Sequence, residues 1–175
     1  MSESMEQRLQ NLRIKHRTKG VMLDTNMLLL FVFAAFHPAM IGMKRLSAYD
    51  AAAAELLYSY VTSFDKILTT QHILAETSNL ARQIISGRHW EQMCARLYPL
   101  FCIEDSSRLI QCTVQTDEID PPLFYRLGFT DASIALTVHQ RYFLLTDDLD
   151  LYIAVTSAGS DAVKFAHMRE AYGQL

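Results

Sequence analysis

Three cysteines are too few and too irregularly spaced to build a covalent or metallic framework. Cys94, Cys102 and Cys112 leave an odd thiol and form no C-x-x-C pair. That excludes a disulfide scaffold and a cysteine zinc site, and fits reduced, buried thiols in a cytosolic protein. Long hydrophobic runs are also missing. The most apolar stretch, residues 27–36, is interrupted by His37 and Pro38, well short of the ~20 residues a bilayer span needs. It is expected as a buried helix, with no membrane partner. The amino terminus places acids and amides ahead of its basic residues, and no small-residue cleavage site follows an apolar core. It does not read as a signal peptide, and a cytoplasmic location is expected. The glycines are scattered and form no phosphate-cradling loop, which excludes a P-loop. Internal repeats and low-complexity segments are absent.

What is present describes one packed domain. Half of the 175 residues are apolar and a fifth are charged, the balance of a folded core in a chain too short for two ordinary domains. The net charge is −3, which by itself argues against a nucleic-acid partner. Its distribution argues otherwise. Arg8, Arg13, Lys15, Arg17 and Lys19 follow one another with no acid between them, and setting four acids aside as metal ligands leaves the remainder at +1. Residues 1–19 are therefore expected as a basic helical arm, a candidate RNA-binding element that contacts phosphates, and residues 20–175 as the main domain.

Periodicity predicts helices over residues 3–17, 27–36, 48–64, 71–86, 88–100, 104–113, 130–140 and 150–157. Strands are predicted at 20–24, 66–70, 100–103, 142–145 and 162–165, and a loop at 115–122, which is acidic and closed by two prolines. In the 48–64 helix, Ala52, Leu56, Tyr60 and Phe64 are expected to share the buried face. Strands alternating with helices predict a three-layer α/β/α fold with a mainly parallel sheet of about five strands.

In such a sheet ligands collect beyond the carboxyl ends of the strands. Asp24 ends one predicted strand, and Thr146-Asp147-Asp148 ends another. Asp131 shares a helix face with Ile134, Ala135 and Val138, with Thr130 expected as the N-cap. An acid on that inward side needs a partner, and no basic residue lies nearby in sequence. His72, Glu76, Asn79 and Gln83 form a polar stripe on an otherwise apolar helix. It is the solvated side of that helix or the border of a cleft, with His72 a capping or supporting group. Hard divalent cations take oxygen ligands, so Asp24, Glu76, Asp131 and Asp148 form a candidate Mg²⁺ or Mn²⁺ site, able to activate water against a phosphodiester.

Leu23-Asp24-Thr25-Asn26, Ile73-Leu74-Ala75-Glu76, Thr130-Asp131-Ala132-Ser133-Ile134-Ala135 and Leu145-Thr146-Asp147-Asp148-Leu149-Asp150 together resemble, in order, the acidic motifs of PIN-domain, VapC-like ribonucleases. The resemblance covers roughly residues 20 to 166. It implies a metal-dependent endoribonuclease with Asp24, Glu76 and Asp131 as core ligands. Asp148 would be the fourth, with Asp147 and Asp150 as rivals for that place, and Thr25, Asn26, Thr146 and Asp150 would orient the site. For many bacterial members it also implies the toxin role of a toxin–antitoxin pair, with an RNA substrate, an antitoxin partner and a homodimer as expected associations. Two other readings stand beside it. One is a PIN-like RNA- or protein-binding module that no longer cuts. The other is a metal-dependent phosphatase, although Asp24-Thr25-Asn26 lacks the second acid of a D-x-D motif.

Overall fold

The computed structural model describes residues 4–102, 109–139 and 141–174. Five strands form one sheet: β1 Val21–Leu23, β2 Ile67–Thr70, β3 Leu109–Cys112, β4 Phe143–Thr146 and β5 Ala162–Lys164. Their order is β3-β2-β1-β4-β5 and every neighbouring pair is parallel. All residues of β1, β2 and β4 are buried, because helices cover both faces and a parallel sheet shielded on both sides needs apolar residues throughout. The first half of the chain builds outward from β1 to β3. The second half begins again on the other side of β1, so the order reverses between β1 and β4. A crevice opens at the carboxyl ends of two such strands, because their connections leave in opposite directions.

Among the described residues eight α-helices fill the two outer layers: α1 Met5–His16, α2 Thr25–Phe36, α3 Ala51–Thr62, α4 Gln71–Ile84, α5 Gly87–Cys102, α6 Pro121–Val138, α7 Leu149–Ser157 and α8 Phe165–Ala171. Several start where a short polar side chain accepts from the third following backbone N–H. Asp24 does so with Met27 (2.7 Å), Asp50 with Ala53 (2.7 Å), Thr70 with Ile73 (3.3 Å) and Asp148 with Leu151 (2.8 Å). Gly20 admits the chain into β1 with φ +110°, and a Cβ there would lie 2.9 Å from the Lys66 carbonyl oxygen. Only glycine fits that entry.

Helix α1 is part of the core. Leu9 and Leu12 are buried in the main apolar cluster, and the Tyr60 hydroxyl donates to the Leu9 carbonyl at 3.0 Å. Its last turn is fixed by Asp161, which accepts from Lys15 Nζ at 2.7 Å and lies 2.6 Å from Nε2 of the buried His16.

Four expectations are corrected. Residues 100–102 continue α5 and do not begin a strand; residue 103 lies outside the described residues. Residues 109–112 form edge strand β3 where a helix was expected over 104–113, of which 104–108 also lie outside. Ile110 and Gln111 of this strand are exposed, so the segment lacks the buried pattern that marks the inner strands. Burial in α3 falls on Ala53, Ala54, Leu57, Tyr60 and Val61, while Ala52 is exposed and Leu56 half-buried. Positions four apart drift about 40° per step around a helix of 3.6 residues per turn, so a strict i, i+4 series leaves the core face. The helix expected to begin at a Thr130 cap begins instead at Pro121 as α6 and is interrupted at Gly128, with φ 75° and ψ −178°.

Candidate carboxylate cleft

The acids that end β1 and β4 arrive at the switch point by construction. Register pairs Leu23 with Leu145, so Asp24 and Thr146 emerge side by side at the carboxyl edge. Glu76 comes from the second turn of α4. Asp131 follows the Gly128 break in α6. Together they line a cleft of about 270 Å³ with Thr25, Asn26, Leu127, Gly128, Phe129, Thr130 and Asp148. Four separate chain segments thus deliver the four predicted carboxylates to one place.

Each acid is held differently. Asp24 is buried. Its Oδ1 accepts from Met27 N, while Oδ2 accepts the Thr146 hydroxyl and the Asp147 N–H at 3.2 Å. A carboxylate offers about four lone-pair sites, so one remains, on Oδ1. Thr146 in turn accepts from Asp148 N at 3.0 Å, which locks the end of β4 to Asp24. Asp148 uses Oδ1 to cap α7, and its Oδ2 accepts no hydrogen bond among the described residues. Glu76 Oε2 accepts from Thr25 Oγ1 at 3.0 Å. Asp131 has no hydrogen-bond partner among the described residues; beside it the Thr130 carbonyl accepts from the Ser133 hydroxyl at 2.6 Å.

The electrostatics follow from this packing. Burial pushes Asp24 up to about 6 against the hydrogen bonds from Thr146, Met27 and Asp147, with the Asp147 charge adding to the rise. Asp131 is pushed up to about 7, first by burial and then by the negative charges of Asp24, Asp148 and Glu76. No lysine or arginine among the described residues lines the cleft. Among the described residues no group of three or more His, Cys, Asp or Glu side chains is placed to hold a metal ion, so the four acids share one cleft without meeting at a common point. A cation held there would have to keep much of its water shell, as Mg²⁺ does. The lone pair left on Asp24 Oδ1 and, among the described residues, the oxygens of Glu76, Asp131 and Asp148 that accept no hydrogen bond would be the donors available to it.

Other expected site residues separate. Asp147 does not line the cleft: its carboxylate accepts from the Tyr49 hydroxyl at 3.2 Å and from Ala166 N at 2.9 Å. Asp150 is exposed on the first turn of α7 and lies outside the cleft lining. Asn79 and Gln83 are exposed and also outside it, so only one member of the polar stripe reaches the cleft. His72 sits edge-on to Phe129 with ring centroids 4.5 Å apart, where it backs a cleft wall. The basic residues of α1 go elsewhere. Lys15 meets Asp161, Arg17 meets Asp65 at 3.5 Å and Arg8 donates to the Ala162 carbonyl. Asp161 and Asp65 precede β5 and β2, so these contacts lie at the amino edge of the sheet, opposite the cleft. Arg13 and Lys19 are exposed.

Sequence reasoning missed Tyr49. Burial and the negative charges of Asp147 and Asp24 drive its hydroxyl well above the usual range, so it stays a donor that fixes Asp147. No periodicity marks it, since it follows an irregular turn. Leu127, Gly128 and Phe129 were also missed as cleft wall, although Gly128 and Phe129 adjoin the Thr130-Asp131 motif. Comparison with protein-family models, curated proteins and solved structures found no match for this chain.

Proposed function

We propose that this protein is a divalent-metal-dependent endoribonuclease that hydrolyses RNA phosphodiester bonds. The observation that carries this reading is the convergence of Asp24, Glu76, Asp131 and Asp148 on one cleft at the β1–β4 switch point, with no lining cation among the described residues. A carboxylate cluster that raises its own members' affinity for protons is a place where positive charge is favoured. With Mg²⁺ or Mn²⁺ bound, the site would gain a water of lowered pKa and compensation for the charge of the attacked phosphate. The chain's own residues do the rest. Asp24 is fixed by Met27, Thr146 and Asp147, Glu76 by Thr25, and Asp148 by the first turn of α7. Asp131 supplies the acid whose charge is least satisfied within the protein.

The phosphatase reading fares worse on the same geometry. A phosphoryl-accepting aspartate needs a free, approachable oxygen, whereas Asp24 is buried and already accepts three hydrogen bonds. The decisive experiment incubates purified protein with RNA in Mg²⁺, in Mn²⁺ and in chelator, alongside Asp131→Asn. Cleavage that needs the metal and disappears in the variant supports the proposal. RNA left intact under every condition, or cut equally by the variant, overturns it.

A further inference from the structure

Beside the cleft the molecule exposes aromatic rings that its own core does not use. Tyr125 is 82% exposed and Phe124 41%, both on the turn of α6 that leads into Leu127-Gly128-Phe129, the cleft wall. The rings are continuous. Phe124 lies 5.9 Å from Tyr125 and 6.2 Å from Phe129, and Phe129 packs edge-on against His72. Scattered single apolar residues on a surface need no explanation, whereas a contiguous run that ends in a polar cleft marks a contact surface. Arg126, exposed between these rings and the cleft wall, adds a planar cation that itself stacks on bases.

Resting on the ribonuclease reading above, we propose that Tyr125 and Phe124 form a stacking shelf for an unpaired nucleobase of the RNA whose phosphate occupies the carboxylate cleft. Charge cannot supply the grip here. Asp117, Glu118 and Asp120 precede the shelf and Arg126 is one cation against them. Base–aromatic stacking needs no net charge, since every base presents a π-face. It does need a base free of its duplex partners, so the shelf selects unpaired segments.

The test uses an RNA strand carrying 2-aminopurine, whose fluorescence falls when the base stacks, bound to the full chain with Asp131→Asn as the parent so that the strand stays intact. The expected result is quenching by the parent and, for added Tyr125→Ala, loss of the quench with affinity about tenfold weaker. Added Tyr125→Phe should restore both, the difference should persist at high salt, and the same strand in a duplex should show no quench. Equal quench and affinity for the parent and Tyr125→Ala overturns the shelf. So does unchanged RNA binding with loss of self-association in Tyr125→Ala, which assigns the rings to a protein interface. Quenching by a wild-type protein that leaves RNA intact in Mg²⁺ and Mn²⁺ supports the shelf and removes the nuclease reading. Metal-dependent cleavage without any quench does the reverse.

Discussion

Asp24 and Asp131 are both acids of the cleft, yet their hydrogen bonding makes opposite predictions for the same substitution. An asparagine at position 24 keeps the oxygen that caps α2 but turns an amide N–H toward the Asp147 N–H, leaving two donors facing each other. Below about pH 6, where Asp24 is already protonated and no buried charge is relieved, Asp24→Asn should therefore lower the stability of the metal-free protein by about 1–3 kcal/mol, the cost of a buried unsatisfied group. Asp131 has no bond to lose and three negative neighbours, so Asp131→Asn should raise the melting temperature in chelator. Thermal melts of the two variants decide this, and a shift of the same sign for both would refute it. The pH dependence follows from the same groups. Asp24 at about 6 and Asp131 at about 7 both lie above the ordinary 3.8, so between these values the folded state retains protons that the unfolded state has released. Stability must then fall as pH rises through that window and level off above it. Melts in chelator from about pH 4 to 8 should show the fall, Asp131→Asn should flatten it, and saturating Mn²⁺ should offset it. A melting temperature that rises across the window in chelator would show that these two acids do not govern the balance.

At the scale of elements, α1 and the Gly128 break carry the next expectations. A basic segment read from composition as an arm is anchored by apolar residues: Leu9 is fully buried, and Arg8, Lys15 and Arg17 hold the helix to the amino edge of the sheet. Leu9→Ala should cost about 2–5 kcal/mol by leaving a cavity, and urea unfolding would measure it. A loss below about 0.5 kcal/mol, the usual size of a surface substitution, would return α1 to the status of a detachable arm. Gly128 bears the left-handed φ that lets α6 restart with Asp131 facing the cleft. No atom crowds a Cβ there, so Gly128→Ala tests backbone strain alone. The expected cost is about 1–3 kcal/mol, together with weaker Mn²⁺ uptake in calorimetry, because the strain relaxes by turning Asp131. Unchanged metal affinity would place the break outside the site's geometry.

The whole molecule is an α/β sandwich in which no helix among the described residues is long and apolar enough to cross a membrane. Its candidate site belongs to no single segment. Any ion that binds only the folded arrangement should stabilise all of it, by about 2.7 kcal/mol at a hundred times its dissociation constant, and a melt with and without Mg²⁺ or Mn²⁺ reads that directly. An unmoved transition at millimolar metal would leave the acids as a structural cluster. The amino-acid sequence by itself determined the alternation of strands and helices and the acids at the ends of β1 and β4, because each depends on residues a turn or less away. It misread 109–112, where an edge strand has one open side and so no distinctive pattern. Only the tertiary structure decided which acid beside Thr146 faces the cleft. Tyr49 and Ala166, distant in the chain, draw Asp147 away, while Asp148, held on the α7 cap, lines the cleft. It likewise brought Glu76 to Thr25 and sent the basic face of α1 to the far edge. These outcomes turn on contacts between remote segments, which closing the sheet creates and no local pattern of residues encodes.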